Sequence, residues 1–89
     1  MKDLIVGKLV HYVLEGGRCK GEHRPAIVVR DWSNTGASYP DGTVNMQVFT
    51  DGQNDGFLEL NHPVNVIWRT SIHHSEDKEP GTWHQIEKA

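Results

Sequence analysis

The stretch His23-Arg24-Pro25-Ala26-Ile27-Val28-Val29-Arg30-Asp31-Trp32 decides the fold. Ile27, Val28 and Val29 are consecutive and β-branched, a composition that favours a strand. An apolar run without polar alternation predicts cover on both faces, and so a central strand of a closed or doubly packed sheet. Pro25 fits the start of that strand, since proline has no N–H to give to a ladder.

Working outward, Gly7 to Leu14 reads as a first strand with Val10, Tyr12 and Leu14 inward and Leu9, His11 and Val13 on the other face. Glu15 to Glu22, rich in glycine and charge, reads as the loop into the central strand. Ser33 to Thr43 holds Gly36, Pro40 and Gly42 and reads as a long irregular connection. From Thr43 to Thr50 the alternation is regular and predicts a half-exposed strand, with Val44, Met46 and Val48 inward and Asn45 and Gln47 outward. Asp51-Gly52 and Asp55-Gly56 are turn signals, followed at Phe57 to Leu60 by a short strand or a single helical turn. Val64 to His73 alternates again, which predicts Val64, Val66, Trp68 and Ile72 inward and Asn65, Arg69, Ser71 and His73 outward. Pro80-Gly81 is a turn before a short closing strand at Thr82 to Ile86. Five short strands without a long helical period predict a mainly β fold, a small five-stranded SH3-like barrel. A compact β-sandwich or an OB-like barrel is the alternative.

The chain has 89 residues, enough for one domain spanning 1–89. A unit of this size buries roughly 60 to 65% of its unfolded surface, so oligomerisation would help it. Nine Lys and Arg against twelve Asp and Glu give a net charge of -3, which argues against duplex DNA as a partner. The single Cys19 can form no internal disulfide, and no apolar run approaches the roughly 18 residues of a membrane helix. The expected compartment is the cytoplasm, with no membrane association.

The residues suggest binding more than catalysis. His73-His74-Ser75-Glu76-Asp77 sets two imidazoles beside two carboxylates, but neighbouring strand residues point to opposite faces, so no metal site is expected there. Asp51 to Gly56 resembles the opening of a calcium loop, yet the twelfth position is His62 where a bidentate Glu is needed. His11, His23 or His84 could supply a general acid or base with Glu15, Glu22 or Glu59, although nothing in the spacing brings a pair together. No catalytic residue and no cofactor is assigned. The candidate ligand-binding residues are Tyr12, Arg24, Arg30, Trp32, Arg69 and His84, because guanidinium forks and aromatic planes suit a small anionic or nucleotide-like ligand. The same groups also suit a protein partner.

The string Gly7…Val10…Tyr12…Gly21…His23-Arg24-Pro25-Ala26-Ile27-Val28-Val29 resembles the opening of MazF/Kid/PemK-type endoribonuclease toxins, which are dimeric SH3-like barrels. That resemblance covers the first third of the chain and implies roles in RNA cleavage for Arg24 and Thr50. Across its length the chain is similar to small proteins encoded by tailed phages and prophages, through HRPAIVVRDW (23–32), VNMQVFTDGQNDG (44–56), VIWRTSI (66–72) and PGTWH (80–84). This second resemblance implies an accessory protein of the host-cell cytoplasm, a homo-oligomer that sequesters a host protein or a nucleotide-derived immune signal in an anti-defence role. A MazF-like toxin and a virion or assembly component are the alternatives.

Overall fold

The computed structural model describes residues 4–34 and 39–86. Its strands are β1 (Leu9–Val13), β2 (His23–Asp31), β3 (Val44–Phe49), β4 (Leu58–Glu59), β5 (His62–Pro63), β6 (Val66–Ile72) and β7 (Trp83–His84). A single helical turn, α1 (Gly52–Asp55), follows β3. The protein is mainly β, as the alternation predicts. Five strands form one antiparallel sheet in the order β6-β3-β2-β1-β7, so His23–Asp31 is indeed the middle strand. The hairpin β4-β5 stands apart, joined through Leu60 and Asn61, both at positive φ.

The expected barrel is not closed. β7 is two residues long and has no ladder with β6. The sheet curls far enough for the segment after β6 to meet it at one bridge, where Trp83 N–H donates to the His73 carbonyl and Ser75 N–H to the Trp83 carbonyl, each at 3.0 Å. Among the described residues no helix is long and apolar enough to cross a membrane.

The core gathers Leu4, Val10, Tyr12, Leu14, Ala26 and Val28 with Val44, Met46, Val48 and Trp83. The inward residues expected of β1 and β3 are all there. Expectations fail in β2 and β6, each for a local cause, and Val13, on the outward phase of β1, is buried. In β2 both faces were expected to be covered, but Ala26 and Val28 are buried while Ile27 is half-buried and Val29 is exposed. The register slips between Val28 and Arg30, a bulge that leaves Val29 on an uncovered face, as an antiparallel sheet allows.

In β6 the phase is inverted. Val48 faces Ile67 and Met46 faces Arg69, whereas Gln47 faces Trp68 and Phe49 faces Val66, so Val66 and Trp68 lie on the outer side. Between Met46↔Arg69 and Val44↔Ile72 the strand carries one extra residue, and Ser71 sits at φ 56. That bulge brings Ile72 back to the core and hides the inversion from a simple count of alternate positions.

β3 is more buried than a half-exposed strand. Asn45 keeps the outward phase but is buried, its Oδ1 accepting from Trp32 Nε1 (2.7 Å), Thr70 Oγ1 (2.9 Å) and Ser71 N–H (2.9 Å). The connection after β2 begins as a 3₁₀ turn at Trp32–Asn34, and its residues 35–38 lie outside the described residues.

Candidate functional site

The six residues singled out from the sequence fall into separate groups rather than one pocket. Tyr12 and Arg69 belong together. The Tyr12 hydroxyl donates to Glu15 Oε1 at 2.7 Å, and Arg69 Nε donates to the same oxygen. Arg69 Nη1 also donates to the Trp68 carbonyl at 3.1 Å, while its guanidinium lies 5.6 Å from the Phe57 ring. Burial would raise the Glu15 carboxyl, but the hydrogen bonds from Arg69 and Tyr12 outweigh it and hold the group below its usual range. Burial, and then the Glu15 carboxylate, push the Tyr12 phenol well above its usual value. Beside this network runs a groove of about 430 Å³ lined by Phe57, Leu58, Val64, Val66, Trp68 and Arg69.

Arg24 sits in a different place. Its Nε donates to Asp55 Oδ2 at 2.9 Å and its Nη2 to Asp55 Oδ1 at 2.7 Å. Asp55 is fully buried at the end of α1 and also accepts the Asp51 N–H, so its carboxyl falls to about 2, chiefly through the Arg24 hydrogen bonds. The Glu22 carboxylate lies 3.4 Å from Arg24 Nη1. A second hollow of about 430 Å³ is lined by His23, Arg24, Pro25, Phe49, Thr50 and Asp51. It brings together the Arg24 and Thr50 that the toxin resemblance singles out. However, the Thr50 hydroxyl donates to the Val64 carbonyl at 2.8 Å, and the Arg24 fork is taken by Asp55.

Arg30 and Trp32 form a third group near the far end of β2. The Arg30 guanidinium lies over the Trp32 ring at 4.8 Å, and Trp32 is 5.1 Å from the Tyr39 ring. Tyr39 extends this aromatic surface and was not expected from the sequence to do so.

His84 belongs to a fourth group, which the spacing does not predict. β1 pairs with β7 so that His11 faces His84, and with β2 so that His11 faces Pro25 and Val13 faces His23. Three imidazoles from three strands therefore share one face. Ring centroids are 4.6 Å apart for His23 and His84, 5.8 Å for His11 and His84, and 6.0 Å for His11 and His23. One ring nitrogen from each lies within 4.8 Å of those of the other two. His84 is buried, and neither of its ring nitrogens has a hydrogen-bond partner among the described residues. Burial, with His23 next, lowers its pKa to about 4, and the same two causes lower His11.

The pair considered from the sequence, His73 and His74, does not converge. His73 Nδ1 is 3.3 Å from the Thr43 hydroxyl, whereas His74 Nε2 is 3.1 Å from Glu76 Oε1 and its ring is 4.8 Å from that of Trp83. The signal that could have found the true cluster is that His11 and His23 occupy one alternation phase of their strands. The register bringing His84 beside them depends on a contact 73 positions away in sequence.

Neither models of protein families, nor curated proteins, nor solved structures match the chain.

Proposed function

We propose that the chain acts by stoichiometric binding rather than by catalysis, as an oligomer whose subunits meet along β6. The observation that carries this reading is the position of Trp68. It is 53% exposed on the outer side of an edge strand, beside Val66 at 44% and across the groove from Leu58 at 62%. An edge strand offers a row of backbone donors and acceptors, and exposed aromatic and aliphatic groups beside it supply the apolar area that a second chain would cover. A small core gives the chain reason to use that area. Two of the guanidinium groups expected to meet an anion are already matched by carboxylates, Arg24 by Asp55 and Arg69 by Glu15, which favours a protein partner at those positions. The resemblance to small phage proteins supports the same accessory role.

Sedimentation equilibrium tests this. Wild type is expected to dimerise, and Trp68→Asp to run as a monomer that melts at the temperature of dilute, monomeric wild type. A wild-type chain that stays monomeric at millimolar concentration overturns the reading.

A second reading rests on Arg30, Trp32 and Tyr39. Two aromatic rings beside a guanidinium suit a small nucleotide-like ligand, which would stack on the rings while its phosphate met Arg30. A panel of linear and cyclic nucleotides should then raise the melting temperature of wild type and leave that of Arg30→Ala unchanged.

A further inference from the structure

We infer that His11, His23 and His84 form a mononuclear site for a divalent first-row transition metal of the zinc type. Two observations meet there. First, the sheet register places one histidine on each of three neighbouring strands, with ligand nitrogens within 4.8 Å of one another. A tetrahedral zinc with Zn–N bonds of about 2.0 to 2.1 Å needs nitrogens about 3.3 Å apart. The remaining contraction falls to side-chain torsions, and His23 is exposed and free to supply it.

Second, His84 is 1% exposed and both its ring nitrogens lack a hydrogen-bond partner among the described residues. A buried polar side chain is normally satisfied, and leaving one bare costs the desolvation of its polar atoms. A metal bond to one nitrogen removes much of that cost and explains why an imidazole stands where an apolar residue would pack.

The donor set narrows the ion. Three imidazoles without thiolate suit zinc, copper or nickel rather than calcium or magnesium, which prefer oxygen. Three protein ligands leave a fourth position for water or for an anionic group of a ligand, on the solvent side where His23 is exposed. The metal would also tie β7, two residues long, to β1 and β2, and so hold the weakest edge of the sheet.

The test uses tag-free, full-length protein dialysed against chelator. Titration with zinc chloride is expected to load one ion per chain and raise the melting temperature, with EDTA reversing both. Cobalt should give the visible absorption of a tetrahedral nitrogen site. His11→Ala and His23→Ala each weaken zinc at least about tenfold, whereas the exposed His62→Ala binds like wild type. His23→Ala keeps the test valid even if His84 variants fail to fold. Absence of zinc uptake by wild type, or equal uptake by wild type and His23→Ala, overturns the inference.

Discussion

Arg24 and Asp55 are joined by two parallel hydrogen bonds, Nε to Oδ2 at 2.9 Å and Nη2 to Oδ1 at 2.7 Å, which fasten α1 to the central strand. Asp55 is fully buried and the Arg24 side chain 14% exposed, and a largely desolvated pair of this kind is costly to break from one side. Asp55→Ala, which strands the guanidinium, is expected to cost about 3 to 5 kcal/mol by urea denaturation at neutral pH.

The same pair sets an acid limit on stability. The folded Asp55 carboxyl sits at about 2, below its unfolded value of about 3.9, so its contribution is complete above the unfolded value and disappears as pH falls towards 2. The shift corresponds to about 2 to 3 kcal/mol. Urea midpoints measured from pH 6 to pH 2 should fall for wild type through that window. Asp55→Asn should start lower and fall less steeply.

Gly17 guards this arrangement from the other side. It sits at φ +77, and a Cβ there would collide with the Asp55 carbonyl, which accepts the Arg18 N–H at 3.0 Å. Gly17→Ala should cost about 1 to 3 kcal/mol from backbone strain, before the displaced carbonyl is counted. Thermal denaturation checks it, with Gly16→Ala as the control, since nothing lies within 4 Å of a Cβ at Gly16.

Local alternation made β1 and β3 readable, because Val10, Tyr12 and Leu14, and Val44, Met46 and Val48, each occupy one phase and share one core. It failed for β6 because the extra residue near Ser71 restores Ile72 to the core while turning Trp68 away. A bulge leaves little trace in hydrophobic pattern, as Ser71 reads like an ordinary outward residue. The site residues were harder still. The sequence marks Arg24 and Arg69 as unusual, but their carboxylate partners Asp55 and Glu15 read as turn and loop residues, and only the meeting of distant segments pairs them. Burial of His84 is likewise a property of the pairing of β7 with β1, which no local window contains.

Two tryptophans that looked alike in sequence should therefore respond in opposite ways. Trp83 is fully buried, with its Nε1 donating to the Gly42 carbonyl at 2.7 Å, whereas Trp68 is more than half exposed. Trp83→Ala is expected to cost about 3 to 5 kcal/mol, enough to unfold a domain this small at room temperature. Trp68→Ala in the monomer should stay within about 0.5 kcal/mol of wild type. Circular dichroism melts at low protein concentration separate these outcomes, and a large loss from Trp68→Ala would mean that its face is packed within the subunit.

Asn45 gives the sharpest test of the β6 bulge. Its Oδ1 accepts from the Trp32 indole, the Thr70 hydroxyl and the Ser71 backbone N–H, so one oxygen holds the turn after β2 and the bulged backbone together. Asn45→Ala leaves these donors without their acceptor and should cost about 2 to 3 kcal/mol. Asn45→Asp keeps an oxygen in the same place and accepts the same three donors, so its loss should be smaller above the carboxyl's titration range and should grow as that group protonates at low pH. Amide exchange at Ser71 reads the bulge directly. Fast exchange is expected in Asn45→Ala and protection in Asn45→Asp, and equal protection in both would mean that the bulge is held by the β3–β6 ladder alone.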